Sequence, residues 1–208
     1  MPIEMLIAFA LALGLAAASP GPGIVGLVAH ALRRGLVRSL PFILGMVLGD
    51  VVFLGLALSG LAVIAASMGG LFLGLKLVGA AWLVVLGIKA WRAPALPITD
   101  LAGREEAGTG RRALVRFATG TALILGNPKT MLFYLAVLPT VLDLRAVTLA
   151  GAAQATGVAV IVNLGVLLSY AALAARARRM FTSARAVRRL NRAAGTAMVG
   201  AGIAVATR

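Results

Sequence analysis

The chain has 208 residues, of which 61% are hydrophobic and 12% charged, with a mean hydropathy of +1.02 and a formal net charge of +14. That composition excludes a soluble globular domain, and at about 20 apolar residues per crossing it leaves room for six membrane spans with short connections. There is no cysteine, which excludes disulfides, thiol redox chemistry and thiolate metal sites.

The expected spans are residues 3–31, 41–66, 71–90, 117–139, 146–174 and 193–207. All should be helices, because an open sheet edge cannot be satisfied in lipid. Met1-Pro2-Ile3-Glu4 lacks the basic start of a signal peptide, and the apolar run continues to Ala31, so this segment reads as the first span. Ser19-Pro20-Gly21-Pro22-Gly23 interrupts it. Backbone groups freed at membrane depth must be buried by protein or line a polar cavity, an arrangement transporters use to bind small solutes. His30 sits beside Arg33 and Arg34 at the cytoplasmic end and reads as interfacial rather than as a proton relay.

The second span carries Asp50 beside the small-residue pair Gly45 and Gly49, which permits close helix approach. In the third, Lys76 can snorkel to the external surface and mid-span Trp82 packs in the core. Trp91, Tyr134 and Tyr170 are candidates for interfacial anchors. Ala93 to Gly110 reads as a flexible linker. Gly126-Asn127-Pro128-Lys129 breaks the fourth span as Pro20 and Pro22 break the first, and Asn163 marks the fifth as Asp50 marks the second.

Sixteen of the 20 Lys and Arg residues fall in three groups, Arg33 to Arg38, Lys89 to Arg116 and Arg176 to Arg192. The positive-inside rule places these in the cytoplasm. Ser67 to Gly70 and Pro139 to Arg145 then lie outside, as do both termini. The basic loops hold no aromatic except Trp91 and Phe181, which argues against nucleic acid as a partner.

With three spans in each half, the second half must be inverted relative to the first. The expected fold is therefore an all-α membrane protein, a single transmembrane domain of two inverted three-helix repeats with broken first and fourth helices. The repeats cover 3–90 and 117–207, joined by a cytoplasmic linker at 91–116. A residue about ten positions into a span lies near the midplane. Pro20, Pro22, Asp50, Asn127, Lys129 and Asn163 all meet that test.

A central Asp or Lys costs about 2.5–3.5 kcal/mol, so such residues pair or act. Asp50 and Lys129 either tie the halves together as an ion pair or handle substrate and protons. Desolvation and a neighbouring Lys129 act on the Asp50 carboxyl in opposite senses, which suits proton exchange against an exported solute. One negative charge opposed by one positive favours a neutral or zwitterionic cargo over lysine or arginine. The expected substrate site is Pro20, Gly21, Pro22, Asp50, Asn127, Pro128, Lys129 and Asn163. Two other classes compete. One is a membrane scaffold or assembly factor whose polar residues only lock helices. The other is a membrane enzyme, for which one histidine, no cysteine and one midplane carboxylate leave little to assemble.

The chain resembles the lysine-exporter-type (LysE/RhtB) amino-acid translocators along essentially its whole length. The resemblance rests on Ser19-Pro20-Gly21-Pro22, Gly45 to Asp50, Gly79-Ala80-Ala81-Trp82-Leu83 through Gly87, and Gly126-Asn127-Pro128-Lys129-Thr130-Met131-Leu132-Phe133-Tyr134 running on to Leu138-Pro139. It implies a bacterial inner-membrane exporter of amino acids or related metabolites, coupled to the proton gradient, with no cofactor. The implied partners are the bilayer, a small-molecule substrate and protons, with a homodimer admitted. The family pattern puts a polar residue directly after the second proline, where this chain has Gly23.

Overall fold

The computed structural model describes residues 1–59, 77, 81, 84–85, 87–89, 91–92, 109–134, 138–142, 148–177 and 184–207. Most of the expected third span, with Lys76 and Trp82, and the linker at 93–108 lie outside these residues, as do positions 67–70 and 143–145 of the external connections. Every described element is a helix: α1 (Ile3–Ala18), α2 (Pro22–Arg34), α3 (Leu36–Leu58), α4 (Thr109–Leu125), α5 (Pro128–Leu132), α6 (Leu138–Val141), α7 (Leu149–Ala177) and α8 (Ala184–Thr207). By length and composition α3 and α7 can each cross a bilayer, and α1 with α2 forms a third crossing bent by 61°.

The bend follows from the residues at the break. Ser19 precedes a proline, which disfavours helical backbone, and it is extended, as is Gly21. Pro22 then occupies the first helical position of α2, where its missing N–H costs nothing. The other end of α2 has no loop. Gly35, at φ 79°, is the one described residue with positive φ, a conformation that favours glycine, and α3 starts at the next residue. The second span therefore begins at Leu36 rather than at 41 and carries Pro41 inside its second turn. Arg33 and Arg34 form the last turn of α2, where cations offset the negative helix end.

Four-residue spacing sorts lipid-facing from buried positions. Ile3, Ile7, Leu11 and Leu15 on α1, with Leu40, Leu44, Leu48, Val52 and Leu56 on α3, are exposed apolar stripes suited to acyl chains. Gly151, Ala155, Ala159, Asn163, Leu167 and Ala171 form the buried stripe of α7. Its small residues let α1 and α2 pack closely along α7. The tightest crossing is α3 on α4. A Cβ on Gly45 would lie 1.9 Å from the Phe117 carbonyl oxygen, and one on Gly120 would lie 2.1 Å from that of Phe42.

Two apolar clusters stack along the helices. One gathers Leu27, Ile43, Met46, Leu123 and Ala171, and the other Phe9, Leu13, Leu54, Tyr134 and Ala159. The polar residues of the breaks lie between them. The fourth span starts at Thr109 rather than at 117, breaks at Gly126 and Asn127, restarts as α5, and widens into a π turn at Phe133 and Tyr134. Single π turns of this kind occur often at functional sites. The last helix starts at Ala184 rather than at 193, so Arg185, Arg188, Arg189 and Arg192 are helical, not part of a loop. Trp91 joins the end of the third span to α8, donating from Nε1 to the Arg192 carbonyl at 3.0 Å and to Thr196 Oγ1 at 3.3 Å.

Candidate functional site

The break between α1 and α2 and the break between α4 and α5 meet face to face. A Cβ on Gly21 would lie 3.1 Å from Lys129 Cδ, and one on Gly23 would lie 3.2 Å from Asn127 Nδ2. Each break leaves backbone groups that need partners, and side chains from the other elements supply them. Lys129 Nζ donates to the Ser19 carbonyl across the two breaks. Tyr170 Oη donates to the Ala18 carbonyl at 2.7 Å. Asn127 caps α5, its Oδ1 accepting the Lys129 backbone N–H at 3.2 Å.

Around this junction lies a cavity of about 50 Å³. It is lined by Gly21 and Gly23 from the first break, Asp50 from α3, Asn127 and Lys129 from the second break, and Asn163 from α7. Five of the eight expected site residues therefore converge on one space. Pro20, Pro22 and Pro128 do not line it; they act through the backbone, ending one helix and starting the next. Gly23 lines it although it offers no side chain. A space of that size is large enough to hold water.

The polar groups of the cavity are short of partners. Asp50 is buried at 6% exposure, and among the described residues no hydrogen bond or ion pair reaches its carboxyl. Lys129 does not pair with it: of the two alternatives for these residues, the ion pair is absent from this conformation, and the ammonium is held by the Ser19 carbonyl instead. Tyr134 Oη lies near Asn163 and Asp50, yet neither it nor Asn163 Nδ2 has a hydrogen bond of acceptable geometry. Buried polar atoms without partners are uncommon, and each costs about 1–3 kcal/mol.

Tyr134 is the residue that sequence reasoning misplaced. It is 1% exposed and packs edge-on against Phe133 at 5.2 Å between ring centroids, so it is a cavity wall and not an interfacial anchor. Its position seven residues beyond Asn127, two helical turns down the same face, carried the signal. Met46, Thr130 and Phe133 complete the wall.

A bundle of apolar helices with a cavity where two helix breaks meet defines a membrane protein of the solute-carrying class. The chain belongs to the LysE type translocator family, whose model matches residues 15–208. It is 30% identical over 207 residues to an uncharacterized membrane protein of Vibrio cholerae, covering all of this chain and 98% of that one. A homoserine/homoserine lactone efflux protein of Salmonella typhimurium is 27% identical over 208 residues, again with 100% and 98% coverage. No solved structure matches.

Proposed function

We propose that the protein is a secondary exporter of neutral or zwitterionic amino acids, or close derivatives, across the cytoplasmic membrane, driven by the proton gradient. The observation that carries this reading is the cavity itself, where one carboxylate and one ammonium face a space walled by both helix breaks. A zwitterion matches that pair, its ammonium toward Asp50 and its carboxylate toward Lys129 and the N-terminal end of α2. The efflux protein of Salmonella typhimurium, by its name, carries homoserine and its lactone, cargo of this size and polarity.

In this mechanism a proton and the substrate ammonium compete for Asp50. The ionised carboxyl, open to the cytoplasm, takes up the substrate. Opened outward, it accepts a proton and releases the substrate, and the protonated form returns. The two apolar clusters on either side of the cavity are the natural closures, parted one at a time.

The same reading places six spans in two inverted repeats at 3–90 and 117–207, the linker 91–116 in the cytoplasm and both termini outside. The contacts support it. The broken first span packs on α7, the fifth span, and α4 of the fourth span packs on α3, the second. Exchanging the halves exchanges those two interfaces, as a pseudo-two-fold axis requires. Gly87 of the third span and Gly195 of α8 face each other, a Cβ on either lying within 2.8 Å of the other's carbonyl oxygen. The Met1 amine donates to Gln154 Oε1 at 2.7 Å, which puts the starts of the first and fifth spans on one side. Inside-out vesicles given an acidic interior should accumulate radiolabelled neutral amino acids. Vesicles that accumulate none would overturn the reading.

A further inference from the structure

The N-terminal end of α2 lines the central cavity, and its C-terminal end lines another. This second cavity, of about 200 Å³, is four times larger. At 1.5 Å per residue, 13-residue α2 is about 20 Å long, so the two spaces lie in sequence along one helix. Between them stand Leu27 and Ile43 of the apolar cluster, with Met46 of that cluster lining the central cavity and Leu123 lining the second. By the charge asymmetry of the loops, the larger cavity is at the cytoplasmic end.

Its chemistry differs from that of the central site. His30, Arg33 and Arg34 supply the charged or titratable side, Thr119 and Asn191 supply neutral polar groups, and among the described residues no carboxylate lines it. Phe42, Leu123 and Met198 form an apolar side. The basic side is held in place. Ser39 Oγ donates its one hydroxyl hydrogen to the Gly35 carbonyl at 2.8 Å, so at the 3.0 Å contact between Ser39 Oγ and His30 Nδ1 the imidazole is the donor. The ring also stacks on Phe42 at 4.6 Å between centroids. A guanidinium pair opposite an apolar wall suits a small oxyanion with a short uncharged body.

Resting on the export reading above, we propose that this cavity is an entry site that takes the substrate's carboxylate from the cytoplasm before it reaches the central cavity. Arg33 and Arg34 hold the carboxylate, and the Phe42, Leu123 and Met198 wall accepts the side chain. The site binds weakly enough to pass its ligand on, and it discriminates against cargo with a cationic side chain. A lipid headgroup phosphate offers the same oxyanion chemistry, so the experiment separates the two sources.

Inside-out vesicles expose the cytoplasmic face, and uptake of a mixture of radiolabelled neutral amino acids, homoserine among them, gives KM and kcat there. The double variant Arg33→Gln/Arg34→Gln should raise KM about tenfold, the scale of one lost charge-assisted hydrogen bond, with kcat within about twofold. Ala29→Leu, which fills the same cavity without changing its charge, should also raise KM. Unchanged KM in both variants, with wild-type transport intact, overturns the entry site and leaves the export reading standing. An arginine effect present with phosphatidylglycerol but absent in proteoliposomes of phosphatidylcholine alone assigns the arginines to lipid and overturns it as well. Wild-type vesicles that accumulate no amino acid overturn the export reading and this inference with it.

Discussion

Lys129, just past the break in the fourth span, donates its ammonium to the carbonyl of Ser19, the acceptor left over by the break in the first. The two interruptions satisfy each other, and on the proposed reading an incoming carboxylate competes with a backbone oxygen for Lys129, the one cation among the described residues lining the central cavity. Replacing Lys129 with Met keeps the apolar stem and removes the donor. The Ser19 carbonyl is then left unpaired, at a cost of about 1–3 kcal/mol. Thermal unfolding in detergent should shift down by several degrees, and vesicle uptake should fall about tenfold or more. Unaltered uptake would remove Lys129 from the substrate path.

Tyr134 tests the opposite case. Its hydroxyl has no hydrogen-bond partner among the described residues, so Tyr134→Phe should leave the melting temperature unchanged or raise it slightly. If the missing partner is the substrate, KM for uptake should rise by about three- to tenfold, the value of one neutral hydrogen bond. A lower melting temperature with unchanged KM would make the hydroxyl structural.

The glycines divide sharply by position. Gly45→Ala and Gly120→Ala would each drive a methyl into a carbonyl oxygen, at 1.9 Å and 2.1 Å, and neither backbone can yield without parting α3 from α4. Both variants should lose folded protein from the membrane, a penalty beyond the roughly 1–3 kcal/mol of ordinary overpacking. Gly157→Ala and Gly165→Ala meet nothing within 4 Å. Fluorescence-detected size exclusion should give them wild-type profiles.

Sequence alone exposes much of this molecule because the membrane makes polarity conspicuous. Asp50, Asn127, Lys129 and Asn163 stand out in apolar runs, and the depth argument that groups them predicts the cavity they line. Helix ends are harder to read. Arg185, Arg188, Arg189 and Arg192 look like loop residues by hydropathy, but a helix in the interfacial region tolerates a charged face, so α8 starts earlier than the apolar run. Partner choice is harder still. Opposite charges at one depth suggest an ion pair, yet the Ser19 carbonyl becomes an acceptor only once the first span bends, which is a property of the backbone and not of any side chain.

Orientation can be read from single cysteines placed in this cysteine-free chain. Met1 and Gln154 are hydrogen-bonded and so share a side, and the positive-inside count puts that side outside. Cysteines at Met1 and Gln154 should react with an impermeant maleimide in whole cells, while those at Gly110 and Arg185 should react only after permeabilisation. Labelling of Met1 without Gln154 would contradict the fold, and the reverse pattern at all four sites would invert the topology.

The proposed proton coupling is tested at Asp50. Among the described residues it is the only carboxylate lining the central cavity, it is buried, and it has neither an ion pair nor a hydrogen bond. A structural acid at this depth should be tied to a partner, whereas an acid that exchanges protons must be free to gain and lose one as the cavity opens to either side. Asp50→Asn preserves the shape and removes the proton site. It should abolish gradient-driven accumulation in inside-out vesicles while downhill exchange of labelled for unlabelled amino acid continues. The uptake of neutral amino acids should exceed that of lysine or arginine in the wild type, since Lys129 repels a second cation. Concentrative uptake that survives Asp50→Asn would move proton coupling to another residue and leave Asp50 with substrate binding alone.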